Sequence, residues 1–185
     1  MKFKLLSDLC EIRLGYSFRF RVEDDPEGDV FVFQPRNVLS DDNFMPKVLS
    51  TQIKEHHFLK RNEILFTNRG TFKSKIFLAG TRSVASGGLF VLSVKSDLVL
   101  PSYISLYLDS SRGQRALASR QEQMSVPAIT LKQLQSIPIP MIPISKQKLL
   151  SRLSACQEKI NFLTQKLNKL KKQRFDAILK GTFHG

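Results

Sequence analysis

The last fifth of the chain contains an uninterrupted apolar repeat that requires a long helix. Neither proline nor glycine occurs between Pro143 and Gly181. Apolar or small side chains recur there at alternating steps of four and three residues, which is the spacing of a coiled-coil seam. The predicted seam, which serves dimerisation, consists of Leu149, Leu153, Cys156, Ile160, Leu163, Leu167 and Leu170.

We expect this helix to begin at an N-cap on Ser145 and to stop at Gly181. The 36 residues from Ser145 to Lys180 would extend roughly 54 Å. A lone helix with one apolar stripe is marginal in water, so the stripe needs a partner. That partner is either a second helix, from another copy or another protein, or the chain's own globular domain. The continuous stripe and the polar remainder favour a paired helix.

The residues before this helix predict a domain of mixed composition, so the fold class is α+β. We place this mixed α/β domain at residues 1–142 and the long coiled-coil helix at residues 143–181. Short apolar runs predict strands at 30–33, 64–66, 76–78 and 89–92. Helices are predicted at 7–12, 101–109 and 112–119, and a capping box at Thr130 opens another. Prolines in the run 137–140 predict an extended edge.

The charge of the chain favours a polyanionic partner. Lys and Arg number 29 against 16 Asp and Glu, a formal net charge of +13. The excess lies after residue 50, because the first 50 residues have a net charge of −2. Nucleic acid and anionic membranes are the usual partners of such a surface, and a solubilising charge excess is the alternative. The narrow heptad stripe argues against membrane docking.

No signature of an enzyme or a metal site is present in the sequence. His56 and His57 are adjacent and His184 is in the tail, so no metal-binding pair is spaced for a helix. The carboxylates at 23–29 are typical of a solvated turn. Two cysteines do not form a disulfide framework, and no signal peptide or membrane span is apparent. We therefore expect a cytoplasmic, non-catalytic protein without a metal or cofactor.

Side chains suited to reading DNA are abundant in the predicted domain. Arg and Lys hold phosphates or guanine, and Asn and Gln bind adenine through two hydrogen bonds. The segment 68–75 is the strongest candidate, because it joins two apolar strands and contains a glycine that lets a partner approach. The candidate DNA-binding residues are Arg19, Arg21, Arg36, Asn37, Asn68, Arg69, Thr71, Lys73, Lys75, Arg82, Arg120, Gln121 and Gln123.

Several segments resemble the target-recognition domain of specificity subunits from type I restriction-modification enzymes. They are Leu-Ser-Asp-Leu-Cys-Glu-Ile at 6–12, Glu-Ile-Leu-Phe-Thr-Asn-Arg-Gly at 63–70 and Pro-Ser-Tyr-Ile-Ser-Leu-Tyr-Leu at 101–108. The closest resemblance is in Ile129–Pro140, in Pro143–Gln147 and in the helix end Ile178-Leu-Lys-Gly-Thr-Phe. The resemblance extends over essentially the whole chain. The chain differs from the family at Lys146, because an acidic residue is common at that position in the family.

The resemblance implies a non-catalytic subunit that binds double-stranded DNA. Such a subunit directs a methyltransferase subunit, and in some systems a translocating nuclease subunit, to a target sequence. S-adenosylmethionine and ATP would then belong to those partners. Family members usually hold two recognition domains and two helices, whereas this chain has one of each, which implies a half-length form that acts as a homodimer. A free-standing DNA-binding regulator and a nuclease are the alternatives.

Overall fold

The computed structural model describes residues 2–40, 44–120 and 125–183, and it describes only the main chain at Gln52 and at 180–183. The chain divides into two compact units, Met1–Gln147 and Lys148–Gly185. The first unit contains strands and short helices, and the second is helical. The fold class is therefore α+β with one long C-terminal helix, as predicted.

The described residues contain nine strands and six α-helices. The strands are β1 (Lys2–Leu5), β2 (Cys10–Leu14), β3 (Val30–Phe33), β4 (Lys47–Val48), β5 (Ile64–Thr67), β6 (Ser74–Ile76), β7 (Ser83–Ala85), β8 (Leu89–Val94) and β9 (Pro138–Met141). The helices are α1 (Leu6–Leu9), α2 (Pro35–Leu39), α3 (Pro101–Asp109), α4 (Ser111–Ala118), α5 (Leu131–Gln135) and α6 (Ile144–Phe183). The longest connections are those from β2 to β3 and from β4 to β5.

Three small sheets organise the first unit. The largest is antiparallel, with strand order β2-β8-β5-β6. The second has the order β4-β3-β7, in which β3 and β7 run parallel and therefore end at the same edge. The third pairs β1 with the proline-containing strand β9. The predicted extended edge at 137–140 is confirmed as β9, since prolines are accepted at the edge of a sheet.

Strand β5 is buried on both faces. Ile64 and Phe66 belong to the main core, in which the four-stranded sheet packs against α3, α4 and α5. Leu65 points the other way, into a second core that contains Phe33 and Ala85. Alternation along a strand gives each face its own core, and this explains why β5 is a continuous apolar run rather than an alternating one.

A buried ion pair joins three strands near the beginning of β5. The Glu63 carboxylate is 5% exposed and accepts hydrogen bonds from the Arg13 guanidinium at 3.0 Å and the Ser93 hydroxyl at 2.6 Å. The main-chain N–H of Lys60 donates a further bond to it at 2.8 Å. Arg13 also donates to the Phe58 carbonyl at 3.2 Å. The pair therefore fixes β2, β5 and β8 together with the loop before β5.

The main departures from the predicted elements are at the N-terminus and in the hairpins. The helix predicted at 7–12 is only α1, and β2 follows at once, because Cys10 and Ile12 turn inward onto the sheet. The strand predicted at 76–78 ends at Ile76 instead. The capping box at Thr130 is confirmed, with Thr130 and Gln133 exchanging side-chain-to-main-chain hydrogen bonds of 2.8 and 3.3 Å.

The first turn of α6 belongs to the first unit through one side chain. Gln147 is fully buried, and its side-chain Oε1 accepts a hydrogen bond from the Leu100 N–H at 2.9 Å. Its side-chain Nε2 donates to the main-chain carbonyl oxygens of Leu98 and Ile142, each at 2.9 Å. The helix begins at Ile144, one residue before the predicted N-cap.

The rest of α6 presents its apolar side chains to solvent. The large side chains of the predicted seam are all between 51% and 58% exposed, and Cys156 is exposed as well. The helix continues through Gly181 to Phe183, so the predicted stop at Gly181 is wrong. A glycine inside a helix costs only about 1 kcal/mol, which is insufficient to end a helix by itself.

Replacing Gln147 with alanine should destabilise the first unit. The change leaves one main-chain donor and two carbonyl groups without their partner, so we expect a loss of roughly 2–4 kcal/mol in the free energy of unfolding. Urea denaturation of the full chain measures it. Lys148→Ala, at the neighbouring exposed position, should stay within about 0.5 kcal/mol of the parent protein. Equal stability of the two variants would contradict the anchoring role.

Candidate nucleic-acid interface

One end of the first unit collects the ends of four strands. Strands β2, β3, β5 and β7 all finish there, and the turn into β8 lies among them. The Gly15 N–H donates to the Leu89 carbonyl at 2.9 Å, and the Ser86 N–H donates to the Phe33 carbonyl at 2.8 Å. The Asn68 N–H donates to the Gly88 carbonyl at 3.2 Å. The residues that follow these strands therefore share one surface.

A surface groove of about 660 Å³ opens at this end. We call it the glycine groove, because much of its wall is main chain at glycine positions. It is lined by Pro35, Asn68, Arg69, Gly70, Gly87, Gly88, Val126, Ala128 and Ile129. Gly88 packs so closely on Pro35 that an added Cβ would lie 2.7 Å from the proline Cγ. The groove thus depends on a small residue where the second sheet meets the first.

The loop between β5 and β6 forms one side of the glycine groove. Its base is held by Thr67, whose hydroxyl donates to the Thr71 carbonyl at 2.7 Å and accepts from the Lys73 N–H at 2.8 Å. Gly70 has φ +76°, a left-handed conformation that favours glycine. The loop is therefore built by the main chain, while the side chains of Arg69, Thr71 and Lys73 are exposed.

Asn68 is the best positioned of the predicted amides. Its Nδ2 donates to the Gly87 carbonyl at 2.9 Å, which holds the side chain against the turn before β8. This bond orients the amide at the wall of the glycine groove, next to the exposed guanidinium of Arg69. An orientated amide and an arginine fork are the groups that recognise base edges and phosphates.

The segment before α5 closes the other side of the glycine groove. The Gly70 N–H donates to the Pro127 carbonyl at 2.7 Å, and the Ile129 N–H donates to the Asn68 carbonyl at 3.0 Å. Val126 remains 46% exposed at this wall. The sequence analysis missed this segment, because its short mixture of small residues has no periodic signal; only the chain reversal brings it beside Asn68.

A second groove of about 390 Å³ lies on the other side of the N-terminus of α2, and we call it the arginine groove. It is lined by Arg21, Val22, Glu23, Asp24, Gln34, Arg36, Phe44 and Pro46. The Arg36 guanidinium lies 5.2 Å from the centre of the Phe44 ring. Asp24 accepts a hydrogen bond from the Lys47 N–H at 2.8 Å, so its carboxylate is occupied in holding the loop. Arg19, also predicted to bind DNA, is exposed on the same loop.

Three predicted DNA-binding side chains make hydrogen bonds within the fold. Asn37 is 1% exposed; its Oδ1 accepts from the Gln34 N–H and its Nδ2 donates to the Phe44 carbonyl, each at 2.8 Å. Lys75 donates to the Asn37 carbonyl at 2.7 Å. Arg120 donates to the Ser136 hydroxyl and the Ala116 carbonyl, each at 3.0 Å.

Arg82 lies away from the glycine groove, at the beginning of β7 rather than at its end. It is 3.5 Å from the Asp29 carboxylate and 3.8 Å from that of Glu55. Its guanidinium also lies 4.3 Å from the centre of the Phe58 ring. The Arg82 guanidinium is therefore engaged by two carboxylates and one aromatic ring of the same chain. Gln121 and Gln123 lie outside the described residues.

Two titratable groups near these loops have shifted pKa values. Hydrogen bonding to Ser50 lowers the pKa of the Asp29 carboxyl, and Arg82 adds a smaller effect in the same direction. Burial lowers the pKa of His57, and the neighbouring charges of His56 and Arg13 reinforce this. The His57 ring packs edge-on against that of Tyr16, with the ring centres 5.0 Å apart.

In the described part of the chain, no group of His, Cys, Asp and Glu is arranged to hold a metal ion. No described helix has the length and hydropathy needed to cross a membrane. The glycine groove offers an arginine, an asparagine amide, three glycines that a flat partner can approach closely, and the apolar residues Pro35, Val126, Ala128 and Ile129. These groups match what DNA presents, namely phosphates, base edges and thymine methyl groups.

A family profile described as type I restriction modification DNA specificity domain matches residues 1–172. Among curated proteins, no sequence match was found.

The fold is similar to that of solved specificity subunits. The HsdS subunit from Thermoanaerobacter tengcongensis is 19% identical with a TM-score of 0.65, over 89% of this chain and 39% of that one. A type I restriction-modification S subunit from M. genitalium is 15% identical with a TM-score of 0.57, over 89% and 41%. A chain from a structure on complex assembly and conformational transition of the type I R-M system is 22% identical with a TM-score of 0.61, over 88% and 39%. This chain thus spans about two fifths of each solved chain.

Replacing Arg69 with alanine should weaken binding to duplex DNA. Losing one phosphate or guanine contact lowers affinity by about 1–3 kcal/mol, and loss of a phosphate contact also reduces the slope of log affinity against log salt by about one. Fluorescence anisotropy over a salt series measures both. Arg61→Ala is the matched control, because Arg61 is also exposed but precedes β5, whereas Arg69 follows it. Equal losses in the two variants would contradict a role for the glycine groove.

Proposed function

The chain belongs to the family of type I restriction-modification DNA specificity domains, and we propose that it is the sequence-recognition subunit of a DNA methyltransferase complex. In this proposal the first unit binds double-stranded DNA through the glycine groove without altering it chemically. The observation that carries the proposal is the exposed Arg69 beside the orientated amide of Asn68, in a groove that three glycines also line.

The division of labour in this proposal is the one that the resemblance to type I specificity subunits implies. The described residues offer contacts for bases and phosphates, and S-adenosylmethionine supplies the methyl group at a partner's site. We therefore assign the transfer to a separate methyltransferase subunit, and DNA translocation and cleavage, where they occur, to an ATP-dependent restriction subunit. A complex that acts on chromosomal DNA in this way would be cytoplasmic.

We further propose that two copies pair through α6. The helix contains 40 residues and would be about 60 Å long. Its exposed seam has the heptad spacing that buries apolar side chains between two helices. Antiparallel pairing about a two-fold axis would place one recognition unit at each end, whereas parallel pairing would bring both to the same end.

The antiparallel arrangement predicts the form of the DNA target. A rod longer than the roughly 34 Å of one helical turn lets two recognition units reach separate major-groove segments. Two identical units related by a two-fold axis read inverted copies of the same half-site. The unread spacer between the halves would be fixed by the length of the helix.

Mapping of modified bases tests the proposal as a whole. The chain is co-expressed with a type I methyltransferase subunit from the same host, and methylated adenines are located by sequencing. We expect methylation at a bipartite site with inverted halves, and its loss in the Arg69→Ala variant. Asymmetric halves would rule out the homodimer and keep the specificity role. DNA binding without co-purification of a methyltransferase would favour the free-standing regulator.

A charge in the seam should abolish pairing. Leu163→Asp places two carboxylates in an apolar interface, so we expect the dissociation constant of the dimer to rise by at least about 100-fold. Sedimentation velocity of the full chain measures this change. Gln165→Asp adds the same charge two residues away, off the seam, and should leave the dimer intact. An unchanged dimer in Leu163→Asp would contradict pairing through α6.

A further inference from the structure

Phe20 is an exposed aromatic side chain that belongs to none of the hydrophobic cores of the described residues. It is 87% exposed, more than any other large apolar side chain in the described part of the chain. A phenylalanine in water forgoes roughly 1.5–3 kcal/mol of burial. Single exposed apolar side chains are common on protein surfaces, so what distinguishes Phe20 is the extent of its exposure together with its surroundings.

The outward orientation of Phe20 is set by its neighbours in the sequence. Phe18 and Val22, two residues to either side, both pack on the small core formed by Val30, Val32, Phe58 and Val84. In an extended segment, residues 18, 20 and 22 would share one face and Phe20 would point inward with its neighbours. The chain instead bends at Arg19 and Phe20, so Phe20 leaves that face while Phe18 and Val22 keep both sides of the bend packed on the core.

Cations lie on both sides of Phe20, and the acidic residues of this loop begin only at Glu23. Arg19 and Arg21 flank it directly, and both are exposed. Ser17, three residues before Phe20, lies beside Gly87 of the glycine groove, because a Cβ added to Gly87 would be 3.3 Å from the Ser17 hydroxyl oxygen. Arg21, the residue after Phe20, lines the arginine groove. Along the chain, Phe20 thus stands between the two grooves.

We propose that Phe20 inserts into the base stack of bound double-stranded DNA while Arg19 and Arg21 hold the adjoining phosphates. The inference rests on the proposed function, and it adds a contact that reads the deformability of the DNA. Apolar wedges beside cations open base steps in this way, and their cost depends on the sequence that is opened. Charge complementarity favours DNA over a protein partner, because the flanking residues are both cationic.

The chain contains no tryptophan, so Phe20→Trp introduces a single fluorescent reporter at the proposed wedge. The full chain is titrated with a pool of duplexes of randomised sequence, and binding is followed separately by the anisotropy of labelled DNA. We expect the Trp emission to be quenched on binding through stacking with bases. Leu78→Trp is the matched control, since Leu78 is 61% exposed and lines neither groove; its emission should not change.

Phe20→Ala gives a second and independent measurement. Loss of one aromatic stacking contact should weaken binding by about 5- to 150-fold, the equivalent of roughly 1–3 kcal/mol. The salt dependence should not change, because no phosphate contact is removed. Leu78→Ala should bind like the parent protein. Circular dichroism of each variant checks the fold, which a substitution at so exposed a position should leave intact.

The outcomes separate this inference from the proposed function. Normal DNA binding by Phe20→Ala, or unquenched emission from bound Phe20→Trp, would overturn the wedge and leave the specificity role standing. Loss of methyltransferase co-purification with unchanged DNA binding would mean that Phe20 contacts a protein, which also overturns it. No DNA binding by the parent protein at any salt concentration would overturn both.

Discussion

The constraint on which the first unit depends is the burial of β5 on both faces. Ile64 and Phe66 pack on one side and Leu65 on the other, and all three are completely buried. Full burial of such side chains contributes about 1.5–3 kcal/mol each, before the cost of ordering the chain. A strand fixed so firmly defines where its ends lie: the Glu63 carboxylate is held by Arg13 at one end, and Asn68 is placed at the wall of the glycine groove at the other.

The structure separates the groups that build the surface from the groups that face a partner. Main-chain hydrogen bonds and the Thr67 hydroxyl hold the groove together. The charged side chain of Arg69 is left exposed. The same separation occurs in α6, where Gln147 is fully buried in the first unit and the seam beyond it is exposed. Rigid supports with unoccupied polar or apolar groups are what a recognition module requires, because ordering costs are then met during folding.

The sequence predicted the parts of this protein that depend on periodicity and on local chemistry. The heptad spacing, the apolar strands and the capping box at Thr130 are local signals, and the α+β class with a long helix follows from them. The individual binding residues were harder, because exposure is a property of the assembled fold. Asn37 and Arg69 are both candidates in the sequence, yet one is a buried cap and the other an exposed cation. Distant pairs such as Arg13 and Glu63 have no spacing that would reveal them.

The construction of the loop after β5 has a consequence for engineering. Thr71 and Lys73 contact the Thr67 hydroxyl only through their main-chain atoms, so their side chains are interchangeable as far as the architecture is concerned. A combinatorial library at these two positions and at Arg69 would vary the chemistry of the wall while Gly70 and Thr67 preserve its shape. Selection from such a library offers a route to altered target preference without redesign of the interior.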